Sequence, residues 1–175
     1  MKKFTALLLA AALAAPLAAP LAAPLAAPLA APLASTAATA HDHHGSAETH
    51  QLQLNAGEKW VTDAPLRQAM TAIRQSTTQI LPAAHAGKVT AADYNAFGDA
   101  VGKQVSFLVE NCKLSPEADA QLHLIVAELV EGVEAAQGKQ GDAKRAAGVV
   151  QIAQASNAYG KYFNHSGWKS IELPH

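Results

Sequence analysis

Residues 90–138 read TAADYNAFGDAVGKQVSFLVENCKLSPEADAQLHLIVAELVEGVEAAQG and contain two helix signatures joined by a short connection. The first opens with Thr90-Ala-Ala-Asp93, a variant of the capping box, in which a cap hydroxyl and an acid three residues on satisfy each other's backbone N–H. Its apolar stripe is Tyr94, Phe97, Val101, Val105, Leu108 and Cys112, which recur at the spacing of one helix face. The second opens with Ser115-Pro116-Glu117, a cap, a first-turn proline and a first-turn acid in order. Its stripe is Ala118, Leu122, Ile125, Leu129, Val133 and Ala136, and Gly138 ends it.

Outward on either side lies one more helix of matched length. Toward the N-terminus, Thr62 or Asp63 can cap a helix that carries Pro65 in its tolerant first turn. Its stripe is Leu66, Met70, Ile73, Thr77, Ile80 and Ala84. Pro82 should kink or end it, and Gly87 closes the turn. Toward the C-terminus, a fourth helix opens near Asp142 with the stripe Val149, Ile152, Ala153, Ser156, Tyr159, Gly160 and Phe163, and Gly167 ends it. No run alternates as a β-strand does. Short loops make consecutive helices antiparallel neighbours, so the expectation is an all-α, up-down-up-down antiparallel four-helix bundle over residues 60–168, followed by a tail over 169–175. Abundant alanine permits close helix approach but supplies few large anchors.

That topology gathers Trp60, Asp63, Cys112, Lys113, Glu117, His165 and Trp168 at one end. Met70 and His123 lie two turns deeper, roughly 10–12 Å in at about 1.5 Å per residue, so they are level. By the same arithmetic Cys112 is level with Glu117 rather than His123, and a direct Cys112–His123 pair needs a bend. The soft and borderline donors Met70, Cys112, His123 and His165 are the bundle's candidate metal ligands, of types suited to copper. Each also has an ordinary structural role: Met70 as core filler, Cys112 as a small buried apolar group, His123 as a solvated imidazole at a helix flank, and His165 as a cation in the last turn of the fourth helix.

Before the bundle, Met1-Lys2-Lys3, the apolar run Phe4–Ala15 and Ala38-Thr39-Ala40 form the charged, apolar and small-residue parts of a secretory signal. Residues 1–40 are expected to be removed after Ala40, which sends the chain to a periplasm. Within them Leu-Ala-Ala-Pro repeats, with prolines at 16, 20, 24, 28 and 32, and these prolines argue against a stable membrane span. Residues 41–59 follow as an aperiodic arm with His41, His43, His44 and His50. If His41 is the new N-terminus, His43 is third. The free amine, two backbone amides and that imidazole then make a square-planar nitrogen set that suits Cu(II) or Ni(II).

Composition narrows the function. The 13 Lys and Arg against 14 Asp and Glu leave no basic excess for nucleic acid. The single cysteine excludes an intramolecular disulfide framework and a cysteine-cluster zinc site. No nucleophile has a base within reach by helix arithmetic, and no carboxylates pair at a useful spacing, so no enzyme is expected.

The run Asn157-Ala158-Tyr159-Gly160-Lys161-Tyr162, the Gly138-Lys139 turn, and Met70 near the start of the first helix together resemble the cytochrome b562 family of periplasmic haem bundles. The resemblance implies the same bundle, with Met70 as a cofactor-ligand position. Gly160 stands where that family has its axial histidine, so haem is not expected unless His165 or another group reaches inward. The runs Asn111–His123 and Tyr162–Trp168 also look like small exported proteobacterial proteins labelled DnrO-like, a label that implies no activity. The expectation is an exported helical bundle that binds or handles a metal ion, copper first. The alternatives are a non-catalytic helical binding module and, behind it, a cytochrome b562-like electron carrier.

Overall fold

The computed structural model describes residues 51–174. The expected signal over 1–40 and the histidines at 41, 43, 44 and 50 lie outside the described residues. Four helices form: α1 (Ala64–His85), α2 (Ala91–Asn111), α3 (Pro116–Ala136) and α4 (Arg145–Tyr162), the last entered through a 3-10 turn at Asp142–Lys144. There is no strand among the described residues, and none of these helices is long and apolar enough to cross a membrane.

The caps hold the helix starts. Asp63 accepts from the Leu66 N–H at the head of α1, and Thr90 and Asp93 close the reciprocal capping box of α2. Ser115 accepts from the Ala118 N–H at the head of α3. Such caps contribute about 1 kcal/mol each by satisfying donors that have no partner within the helix.

Each helix packs on two others, α1 on α2 and α4, α3 on α2 and α4. The stripes meet in one core around Leu66, Met70, Ile73, Val101, Ile125, Leu129, Val149 and Ile152, all fully buried. Burying each such side chain is worth about 1.5–3 kcal/mol. Two fully buried hydroxyls donate back along their own helices, Thr77 to the Ile73 carbonyl (2.7 Å) and Ser156 to the Ile152 carbonyl (2.8 Å), so neither leaves a polar atom unpaired.

Several details depart from the sequence reading. In α1, Leu81 is buried where Ile80 was expected, and Ile80 is only partly so. A strict heptad drifts around a straight helix by about 20° per repeat, so after two repeats Ile80 has turned toward one side of the inward face and Leu81 shares it from the other. Pro82 does not end α1, which runs on to His85 with the Ala86 N–H returning to the Pro82 carbonyl. Residues 51–59, read as part of an aperiodic arm, form a strap: the Gln53 N–H donates to Gln121 Oε1 (2.7 Å), the Trp60 indole N–H donates to the Gln53 carbonyl (2.6 Å), and Leu52 packs against the core. The tail is packed as well. Ile171 is buried and its backbone pairs twice with the Asn157 amide (2.7 and 2.9 Å).

Candidate functional site

Asp63 organises the end of the bundle where most of the candidate residues lie. Its Oδ1 caps α1, and its Oδ2 accepts from the Lys113 backbone N–H (2.6 Å) just past α2. The Cys112 thiol lies close enough for the Asp63 charge to act on it. One carboxylate thus ties the head of α1 to the α2–α3 connection. The strap closes over the same end, with the Trp60 N–H on the Tyr162 carbonyl (2.8 Å) and the Asn164 N–H on the Trp60 carbonyl (2.8 Å).

That second pair of bonds explains why α4 stops at Tyr162 and not at Gly167. Phe163 turns extended (φ −114°, ψ 138°) and bridges to Trp60, so the chain leaves the helix to pair with the strap. His165 therefore lies beyond α4 and not in its last turn. It folds back on Tyr159, whose hydroxyl hydrogen-bonds with Nδ1 (2.9 Å). Burial, then the neighbouring Arg67, pushes the His165 pKa down, and burial above all pushes the Tyr159 phenol up. Both effects keep the pair neutral.

Trp168 then covers Gly160. A Cβ at residue 160 would overlap Cδ1 and Nε1 of the indole, so glycine is what lets the ring lie flat on α4. The indole stacks edge-on to Tyr159 with centroids 4.8 Å apart. Its buried N–H finds no acceptor among the described residues.

Cys112 is partly buried. Burial first, then the Asp63 charge and the Asp119 charge, push the thiol up to about 12. It is a protonated thiol at neutral pH, unlike the lowered thiol of a nucleophile. Cys112 and His123 line the same small cleft, about 170 Å³, between the end of α2 and the first turns of α3. Arithmetic on Cα positions had set them apart. Side chains on a helix lean toward its N-terminus, and for α3 that is the end joined to Cys112. The imidazole accordingly sits back over its preceding turn, with Nδ1 donating to the Asp119 carbonyl (2.9 Å) and the Asp119 carboxylate 3.3 Å away.

The four bundle ligands expected from sequence are thus divided. Met70 is fully buried in the core, His165 is committed to Tyr159, and only Cys112 and His123 share a space. Among the described residues no group of three or more His, Cys, Asp or Glu side chains stands together closely enough to hold a metal ion. Haem does not fit the residues present. Gly160 offers no ligand and is covered by Trp168, and Met70 is packed among apolar neighbours.

Sequence reasoning missed the Tyr159–His165 pair and the second bond of Asp63. Tyr159 stood out only as a stripe residue, and its partner lies six residues on, a spacing no helix periodicity flags. Asp63 was legible as a cap, but its partner Lys113 is set by tertiary contact. No protein-family model, curated protein or solved structure matches this chain.

Proposed function

We propose that this is an exported, non-catalytic copper-handling protein of the periplasm, in which a bundle of alternately up and down helices carries a histidine arm that begins at His41. The alternating order is supported by the short loops 86–90, 112–115 and 137–141 and by the bonds that join the two ends. Asp63 links α1 to the α2–α3 connection at one end, and Arg145 links the start of α4 to the Ala136 carbonyl and Asn95 at the other.

The observation that carries the reading is the strap. The described chain begins as a segment bonded to Gln121 and Tyr162, so the histidine-bearing residues are joined by chain continuity to a fastened segment. In the arm, the amine of His41, two backbone amides and the His43 imidazole form the four-nitrogen set for Cu(II), and His44 adds a neighbouring donor. A non-catalytic role is supported by Cys112, the best nucleophile type at the bundle's end, whose thiol is held protonated. Met70 acts as core, and the cytochrome-like reading is disfavoured by Trp168 lying on Gly160.

The test is a Cu(II) titration of the exported chain beginning at His41, followed by electron paramagnetic resonance and the visible d–d band. One equivalent in a four-nitrogen square-planar signal is expected. Adding a single alanine before His41 moves the imidazole out of third place and should abolish that signal. An unchanged signal in the extended chain would overturn the reading, and a chain that takes up no Cu(II) would leave a helical binding module in its place.

A further inference from the structure

We propose that the cleft between the end of α2 and the first turns of α3 is a second, separate site that takes Cu(I), held between Cys112 Sγ and His123 Nε2. The proposal rests on the copper-handling reading above but uses different residues and a different oxidation state. Three features of the cleft point to it. Cys112 and His123, one soft donor and one borderline, line a single cleft of about 170 Å³ together with Leu108, Val109, Asp119, Leu122 and Val126. That volume exceeds the roughly 30 Å³ share of one water, so an ion fits without opening the core.

The second feature is the imidazole's orientation. His123 gives its Nδ1–H to the Asp119 carbonyl at 2.9 Å, which fixes the tautomer and leaves the Nε2 lone pair free. Donation of the other ring N–H to a carbonyl or carboxylate is how ligating histidines are held. The His123 side chain is 69% exposed, so no packing opposes its small adjustment toward the sulfur.

The third is the number of donors. Structural zinc takes four ligands and calcium six or more. The cleft offers one sulfur and one imidazole nitrogen, because its Asp119 carboxylate lies against Nδ1 of His123 (3.3 Å), and such a pair matches the linear coordination that Cu(I) accepts.

Binding exchanges one proton for one ion. The Cys112 S–H bond breaks and an S–Cu bond forms, while the proton passes to water. Copper enters and stays as Cu(I), so no electron moves. Because binding releases the thiol proton, apparent affinity should rise with pH.

The experiment uses the exported chain with His41, His43, His44 and His50 all replaced by alanine, which removes the arm's donors. Cu(I) is titrated without oxygen against a chromogenic Cu(I) chelator. One retained equivalent is expected, with thiolate-to-copper absorption in the near ultraviolet and one sulfur and one nitrogen by X-ray absorption. Cys112→Ser and His123→Ala should each weaken retention by more than about 100-fold, and Asp119→Asn by about tenfold. His85→Ala, on an exposed residue at the end of α1, should change nothing. His123 is exposed, so its variant keeps the fold even if Cys112→Ser does not, and circular dichroism verifies this. Retention by His123→Ala equal to the parent, or no retained Cu(I) at all, overturns the proposal. Failure here leaves the Cu(II) result on the arm untouched, and failure of the arm leaves this titration readable.

Discussion

Glycine 160 shows how much one absent side chain can determine. Read from sequence, it is the place where a haem-bundle histidine is missing. In the structure it is a flat seat for Trp168, and the indole in turn packs on Tyr159, which is stacked on Phe163 at 5.4 Å. Gly160→Ala should therefore cost about 1–3 kcal/mol, the usual penalty for forcing a methyl into a packed contact. The denaturant midpoint measures it, and an unchanged midpoint would mean that Trp168 does not lie on α4. That glycine's role was illegible in sequence, because the ring that needs the space comes eight residues later across a turn.

Among the elements, α3 and α4 share the most intimate contact. Gly132 and Gly148 face each other there, and a Cβ at Gly148 would stand 2.5 Å from both the Ala136 nitrogen and the Gly132 oxygen. Those are backbone atoms and cannot swing aside, so Gly148→Ala must push two helices apart. Loss of at least about 2 kcal/mol is expected. Gly102, within α2, has nothing within 4 Å of its would-be Cβ. Gly102→Ala should instead stabilise by about 0.5–1 kcal/mol, through helix propensity alone. Thermal melts of the pair check both signs, and equal effects would rule out a close α3–α4 seam. The alanine and glycine content announced close approach, but which glycines carry it depends on how the two helices are rotated.

At the scale of the whole molecule, the neutral pair of Tyr159 and His165 holds the segment after α4 against the bundle, and this gives the fold a pH dependence. Burial and Arg67 hold the His165 pKa below its ordinary value of 6.5, so the unfolded chain takes up a proton at higher pH than the folded one. The stabilisation is complete above about pH 6.5 and is lost as pH falls through the folded value. Melting temperature should accordingly drop between pH 7.5 and 5. His165→Gln, which cannot become charged, should show a shallower drop. Identical slopes for the two chains would remove His165 as the cause. Tyr159 adds no titration in this window, since its phenol is shifted upward and away from it.

The sequence by itself determined the helices and their inward faces. Caps such as Asp63, Thr90 and Ser115 and stripes such as Leu122–Ile125–Leu129 are local signals, because a helix start needs an acceptor within three residues and a buried face repeats every three or four. Only the tertiary structure decided the site. The bond from Lys113 to Asp63, the fold-back of His165 onto Tyr159, the strap at Gln53 and the shared cleft of Cys112 and His123 all join residues whose separation in sequence follows no period. Such contacts depend on where side chains lean and where the chain leaves a helix, and both are set by packing at the bundle's end.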